Sequence, residues 1–530
     1  MVAPSTGSRG RHPLDVPWHP LLVAAYPVLF LFGQNAVQLM SLAPLWPPLI
    51  GALAGAAVAT GLGRVATGSW QRGALLASLG LALFLSFGHT WNVVGEALGQ
   101  RRWLVAAYLA IAAIGSWLII RRGMGWAAPA TRGLNVAAMI AVALSTVPVV
   151  EFATGGTDAP AEASEVALNV EPDTIDSRPD IYWIVLDRYP GAETLDRLYG
   201  FDNSPFLGAL RERGFAIADE SWANYWKTAF SLLSTMRMEH LDGAALADRD
   251  PPTFGPVHRG LQESTTATAT LTSIGYEYVH LGNWWEPTTT NRDADRVLLW
   301  AENAEFSSAV LSTTVLSLLT PRVPSADAES LSDATLARNY TTFAFERLEE
   351  ARERPGPTYV FAHLLVPHPP YVFDTDGTEP SAEETAGRSD DEQMLRQLEW
   401  TNSRVLAAID RLTDVPADQQ PVIVIQADEG PWPDRFWEDQ QGFPWLEATP
   451  DEILEKFGIL NAMRTPGIDP AELGFNARSS PVNTFRMLFN AYFGTDLPLV
   501  PDTTYLSPDY ARMYDFVPYD RDARAPLETP

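Results

Sequence analysis

Four short stretches of this 530-residue chain place oxygen and nitrogen donors where a fold of alternating strands and helices would expose them. One apolar run ends in an acid, Asp187, in DIYWIVLDRYP, and another ends at Asp428-Glu429-Gly430 in PVIVIQADEGP. In NYWKTAFSLLS a polar loop opens a helix with Thr228 in its first turn, and FAHLLVPHPPYVF carries His363 and His368. Three carboxylates and a hydroxyl at a helix start form an oxygen-rich set suited to a hard divalent cation. Each residue also has a plainer reading. A strand-end Asp or a first-turn Thr commonly just caps a helix. His363, inside an apolar run, reads as a satisfied core histidine, and His368 reads equally as a turn histidine held by Pro367, Pro369 and Pro370. In HLGNWWEPTTTNR, Trp284 or Trp285, Arg292 and the nearby His280 offer a clasp for a head group the size of glycerol phosphate. Core packing is the competing account of the two tryptophans.

These donors need strands and helices to present them. From residue 180 onward, short apolar runs alternate with amphipathic stretches, the pattern of an α/β domain. The predicted buried strands are 181–186, 276–280, 359–365, 422–426 and 458–461, with a short one at 215–217. The predicted helices include 203–213, 227–236, 331–354 and 391–412. In such sheets ligands bind beyond the carboxyl ends of the strands, where the acids stand.

The first half of the chain is different. Residues 1–150 hold nine Arg and only two acids, Asp15 and Glu96, whereas the remainder holds 63 acids against 28 basic residues. Five apolar stretches, 20–38, 46–63, 73–88, 103–120 and 134–152, each approach the length that crosses a ~30 Å hydrocarbon core. With the N-terminus inside, Arg9, Arg11, Arg64, Arg72, Arg121, Arg122 and Arg132 fall on the cytoplasmic side and only Arg101 and Arg102 outside. Five spans then put everything after Phe152 outside the cell. Residues 1–152 are thus expected to form a transmembrane domain, 153–179 a linker and 180–530 the soluble domain. A net charge of −28 excludes nucleic acid as a partner. The absence of Cys excludes disulfides, thiolate metal sites and a Cys nucleophile.

Taken together, these segments resemble the alkaline phosphatase/sulfatase superfamily, and within it the lipoteichoic acid synthase-like membrane phosphotransferases. The resemblance spans nearly the whole chain. It is carried by IVLDRYP, FDNSPFLGALRERGF, SWANYWKTAFSLLST, HLLVPHPPYVF, VIQADEGP and SPVNTFRMLFNAYFG. It implies an N-terminal five-helix transmembrane domain followed by an extracellular α/β sulfatase-like domain. In that family an acid at the end of the first strand, a Thr nucleophile and a late Asp-His pair hold one divalent ion, usually manganese. The matching positions are Asp187, Thr228 and Asp428. Glu429 stands where the family has its late His, which keeps a ligand but makes the site harder, favouring Mn2+ or Mg2+ over Zn2+. His368 matches the substrate-side histidine, a donor to a phosphate oxygen or a proton shuttle. Two further departures limit the chemistry. Asp187 is followed by Arg188 instead of a second acid, and Thr228 is followed by Ala229, Phe230 and Ser231, so no formylglycine signature for sulfate-ester hydrolysis is present.

The resemblance therefore implies a membrane-anchored transferase that moves a phospho-alcohol group through a phospho-threonine intermediate. The donor would be a lipid such as phosphatidylglycerol, and the acceptor an envelope glycolipid or glycopolymer. A metal-dependent phosphodiesterase or phosphatase on the same site is the alternative. A pseudoenzyme of the cell envelope is a third reading, favoured by the Glu429 departure.

Overall fold

The computed structural model describes residues 13–35, 42–122, 124–155, 167–171, 175, 177–247, 252–300, 304–318, 334–350 and 356–527. Most of the expected linker, the end of the first apolar stretch and both ends of the helix expected at 331–354 lie outside them. The chain divides into two compact units. The first comprises Met1–Asp158 together with Asn303–Pro321, and the second Ala159–Glu302 with Arg322–Pro530. The sequence reading had placed 303–321 inside the soluble domain.

In the first unit the described residues of the five apolar stretches are all helical: α1 (His19–Asn35), α2 (Trp46–Thr67), α3 (Trp70–Leu98), α4 (Arg101–Arg121) and α5 (Ala127–Gly155). Among the described residues four helices are long and apolar enough to cross a membrane, against the five expected. The difference is α1, whose described helix ends at Asn35 after 17 residues. The third stretch, the shortest in sequence, instead belongs to a 29-residue helix. The helix extends past the apolar run at both ends, through polar residues that helices tolerate but hydropathy does not register.

The second unit is built on a mixed seven-stranded sheet. Its strands in chain order are β1 (Ile181–Leu186), β2 (Ala216–Ile217), β3 (Glu277–Leu281), β4 (Arg296–Leu298), β5 (Thr358–Leu364), β6 (Val422–Gln426) and β7 (Asn461–Arg464), arranged β2-β7-β6-β1-β5-β3-β4. β6, β1, β5, β3 and β4 run parallel; β7 is antiparallel to β6, and β2, antiparallel to β7, again follows the direction of the five. β1 is buried at every position, as its uninterrupted IYWIVL run requires of a central strand covered on both faces. The seventh strand falls three residues later than expected. The apolar Gly458 and Ile459 make only single bridges, to Trp222 and Pro190, and the paired strand begins at Asn461. A small antiparallel sheet near the C-terminus, Thr504–Leu506, Val517–Asp520 and Ala525–Pro526, carries no apolar run that would have announced it.

Candidate metal centre and active site

The sheet order brings three chemically distinct groups to one rim. β1 lies between β5 and β6, with Val185 in register with both His363 and Gln426. Asp187 therefore leaves the end of β1 beside His363 of β5, and Asp428 follows β6 on the other side. Backbone geometry tightens the approach. Arg188, directly after Asp187, holds a left-handed φ of 60°, a conformation costly for a side-chain-bearing residue and concentrated at functional sites. In that conformation its N–H donates to Asp428 Oδ1 at 3.2 Å.

Ligand atoms of Asp187, His363 and Asp428 all lie within 4.8 Å of one another, and all three residues are buried. Asp187 Oδ1 and Asp428 Oδ2 have no hydrogen-bond partner among the described residues, and His363 Nε2 faces Asp187 Oδ2 at 3.4 Å. Buried carboxylate oxygens without partners are expensive unless a cation satisfies them. Two carboxylates and one imidazole form a donor set that divalent cations accept, so the residues fit a metal ion. The ring of His363 is oriented from behind. Its Nδ1 lies 3.0 Å from Thr288 Oγ1, which itself donates to Asn283 Oδ1 at 3.3 Å. When Nδ1 donates to Thr288 Oγ1, Nε2 carries the lone pair, the tautomer a metal ligand requires.

The electrostatics of the two acids differ. Burial alone would raise Asp187, but the nearby imidazoles of His368 and His363 and the guanidinium of Arg188 hold it well below the usual carboxylate range. Asp428 is pushed far up by burial and then by the charges of Asp187 and Glu429, against a hydrogen bond from Thr228 and the Arg188 amide. That hydrogen bond fixes the Thr228 hydroxyl on the Asp428 carboxylate. Thr228 is the first residue of α6 (Thr228–Arg237), a helix whose N-terminal amides have no partners within the helix and so favour an anion.

Glu429 is not one of these three, and its Oε2 has no hydrogen-bond partner among the described residues. Lys456 Nζ stands 2.8 Å from its Oε1 and Arg188 Nε 3.3 Å from the same oxygen. Both Lys456 and Glu429 are buried, and burial pulls the Lys456 ammonium down to about 7. The Lys456 ammonium also sits 3.3 Å from the centre of the Trp432 ring, with Lys227 at 4.5 Å and Arg188 at 5.3 Å. Gly430 makes this closure fit, since a Cβ there would meet the Glu455 carbonyl at 2.1 Å. The sequence reading had Glu429 as a ligand and His363 as core; the structure brings His363, not Glu429, to the cluster. One signal for His363 was available: a lone histidine one residue before the end of an otherwise apolar strand.

The remaining residues separate clearly. His368 lies at the rim, with Trp284 6.2 Å away by ring centres. Trp285 is half-buried and turns its ring 5.8 Å from that of His363. His280 does not reach substrate: its ring nitrogens meet Tyr278 Oη at 3.0 Å and the Thr288 carbonyl at 2.8 Å, and burial pulls it down to about 4. Arg292 is also away from the site, exposed and paired with Glu263 at 3.0 Å. A cleft beside the centre is lined by Arg188 and His368 and, further out, by Tyr199, Asp391, Asp434 and Glu455.

No family model and no curated protein matches the chain. Solved structures similar to it include two kinds of protein. One kind is phosphoethanolamine transferases. The C-terminal periplasmic domain of EcEptC from Escherichia coli is 13% identical with a TM-score of 0.41, covering 64% of this chain and 92% of that one. The integral membrane lipooligosaccharide phosphoethanolamine transferase A from Neisseria meningitidis is 14% identical with a TM-score of 0.40, covering 90% and 94%. The other kind is an alkaline phosphatase superfamily protein from Vibrio parahaemolyticus, 11% identical with a TM-score of 0.43, covering 69% and 89%.

Proposed function

We propose that this chain is a membrane-anchored, metal-dependent phosphotransferase that moves a phospho-alcohol group from a lipid donor to a cell-envelope acceptor, with Thr228 carrying the group in transit. The observation that carries the reading is the Thr228 hydroxyl held on the Asp428 carboxylate beside two further inward-facing donors. A cation held by Asp187, Asp428 and His363 would supply positive charge to a developing alkoxide and to a phosphoryl oxygen. Thr228 Oγ1 gives its proton to the Asp428 carboxylate and attacks phosphorus, and the bond from phosphorus to the lipid's alcohol oxygen breaks. His368 gives that leaving oxygen its proton. In the second half an acceptor hydroxyl attacks the phospho-threonine, His368 takes its proton, the bond from phosphorus to Oγ1 breaks, and Asp428 returns the proton to Thr228. The α6 amides and Arg188 face the phosphoryl charge throughout.

Exchanging Glu429 for His363 in the donor set softens it, so zinc now stands ahead of manganese. The donor side is read in two ways. Glycerol phosphate from phosphatidylglycerol follows the sequence reading. The cleft favours a second, an amino-alcohol phosphate, because the carboxylates of Asp391, Asp434 and Glu455 and the ring of Tyr199 suit an ammonium group. The soluble unit outside the cell, with α1 as a fifth span, completes the proposal. Mass spectrometry of the full chain after incubation with phosphatidylglycerol and phosphatidylethanolamine vesicles tests it. A head-group phosphate adduct on Thr228 is expected, and its mass identifies the donor. Turnover with no adduct at Thr228 would favour hydrolysis by water and overturn the covalent route.

A further inference from the structure

The chain between β4 and the helix Ala334–Glu350 contains a run with a single ionisable residue. Residues 304–318 read AEFSSAVLSTTVLSL, Glu305 being the exception. They form α7 (Ala304–Ser312) and a tight turn, Val315–Leu318, and belong to the first unit although their sequence neighbours belong to the second. The run is seated on the helix bundle by specific contacts. Phe306 packs edge-on against Phe32 of α1 at 5.7 Å, and Phe32 in turn against Phe152 of α5 at 5.4 Å. Phe306 and Val310 are buried with Val28, Leu45 and Val149. The Gly88 N–H of α3 donates to the Thr313 carbonyl at 2.7 Å, and Arg101 donates to the Ser317 carbonyl at 3.2 Å. Only glycine permits the first of these, since a Cβ at 88 would stand 2.1 Å from the Ser312 carbonyl oxygen.

These partners mark one end of the bundle: α1 and α5 finish there, and α2 and α4 begin. It is the end from which the chain leaves α5. Arg101 stacks on Trp91 at 5.4 Å and Arg102 on Trp103 at 5.2 Å, the residue types that settle at the head-group level. The other side of the run is apolar and uncovered: Leu311, Leu316 and Leu318 are 46%, 39% and 38% exposed. Its hydroxyls are turned inward onto its own backbone. Ser312 Oγ, Thr313 Oγ1 and Thr314 Oγ1 donate to the carbonyls of Ala309, Val310 and Leu311 at 2.7, 2.7 and 2.8 Å. Those three hydroxyls are therefore satisfied without water, as an element at the lipid boundary requires.

We propose that residues 304–318 form a monotopic element embedded at the boundary between phospholipid head groups and acyl chains. Its Phe306–Val310 side rests on the bundle, and its Leu311, Leu316 and Leu318 side rests on lipid, continuous with the bilayer-facing surface of the spans. Electrostatic attraction contributes nothing to this contact, since the run carries one acid and no base, so its hold on the bilayer is apolar. The inference is independent of the phosphotransfer reading.

The absence of native Cys makes the test direct. Leu311→Cys and Leu316→Cys variants of the full chain, nitroxide-labelled in phosphatidylglycerol/phosphatidylethanolamine vesicles, are compared with Ile111→Cys in α4 and with Glu383→Cys, an exposed position of the second unit. Collisions with oxygen relative to a water-soluble nickel chelate should exceed those at Glu383 several-fold and fall below those at Ile111, which lies at the middle of its span. Labels at 311 and 316 that read like Glu383 would overturn the proposal. Adding Gly88→Val should shift the Leu311 label toward the aqueous value. An unchanged reading in a folded Gly88→Val protein would overturn the seating at α3.

Discussion

Asp428 and Glu429 are consecutive carboxylates at the end of one strand, and the fold gives them opposite surroundings. Asp428 stands with Asp187 and His363 and keeps one oxygen unpartnered. Glu429 gives its Oε1 to the ammonium of Lys456 and the guanidinium of Arg188, while its Oε2 is unpartnered. Each keeps one open oxygen; the difference is charge, since among the described residues two cationic side chains pair with Glu429 and none with Asp428. Burial alone does not make an acid a ligand; what decides is whether the protein has already supplied the opposing charge.

That contrast can be broken by mutation. The largest effect is expected at the hydroxyl on the Asp428 side. Thr228→Ala should lower transfer by about 10⁴-fold or more, the scale of losing a covalent nucleophile. Metal content and melting temperature should stay close to wild type; unchanged turnover would remove Thr228 from the reaction. On the Glu429 side the effect should appear in stability. Glu429→Gln leaves Lys456 buried without its counter-charge and should cost about 3 kcal/mol, read by denaturant unfolding. The double variant with Lys456→Met should recover much of that loss. If Glu429→Gln instead strips the metal while His363→Ala retains it, the two carboxylates have been assigned the wrong way round.

Smaller effects sharpen the picture. Thr288→Val removes the acceptor for His363 Nδ1 and should weaken metal affinity by about 10- to 100-fold, measured by chelator competition. The smallest effect concerns Glu455, which burial and the charges of Asp391 and Asp434 raise to about 7 despite a hydrogen bond from Tyr199. The native state then holds more protons than the unfolded chain between its ordinary value of 4.5 and about 7, so this group's contribution to stability falls as pH rises through that window. Glu455→Gln should therefore melt progressively higher relative to wild type from pH 5 to pH 8. A constant difference across that range would show that Glu455 titrates normally.

Much of the scaffold was readable from sequence because it depends on runs of residues. IYWIVL and VIVIQ define their strands to the residue, and the polar loop before Thr228 places the helix start within one position. The site was readable only in part. Asp187, Thr228 and Asp428 stand where a strand ends or a helix begins, which local pattern reveals. His363 becomes a candidate only once β5 is known to lie beside β1, and the fate of Glu429 depends on Lys456, 27 residues further on in a separate helix. The surroundings of Arg292 and His280 depend on the fold in the same way. Their type suited a phosphate site, but Glu263 and the Thr288 carbonyl already hold them.

The seating of residues 304–318 has a practical consequence for anyone cutting the molecule apart. A fragment beginning near residue 180 would retain Phe306 and Val310 while losing Phe32, Val28, Leu45 and Val149, the side chains that bury them. Together with Leu311, Leu316 and Leu318 they would form one contiguous oily surface, of the kind that drives soluble proteins to self-associate. Such a fragment should elute as large aggregates in the absence of detergent. Replacing the run by a short Gly/Ser connection should return it to a monodisperse species.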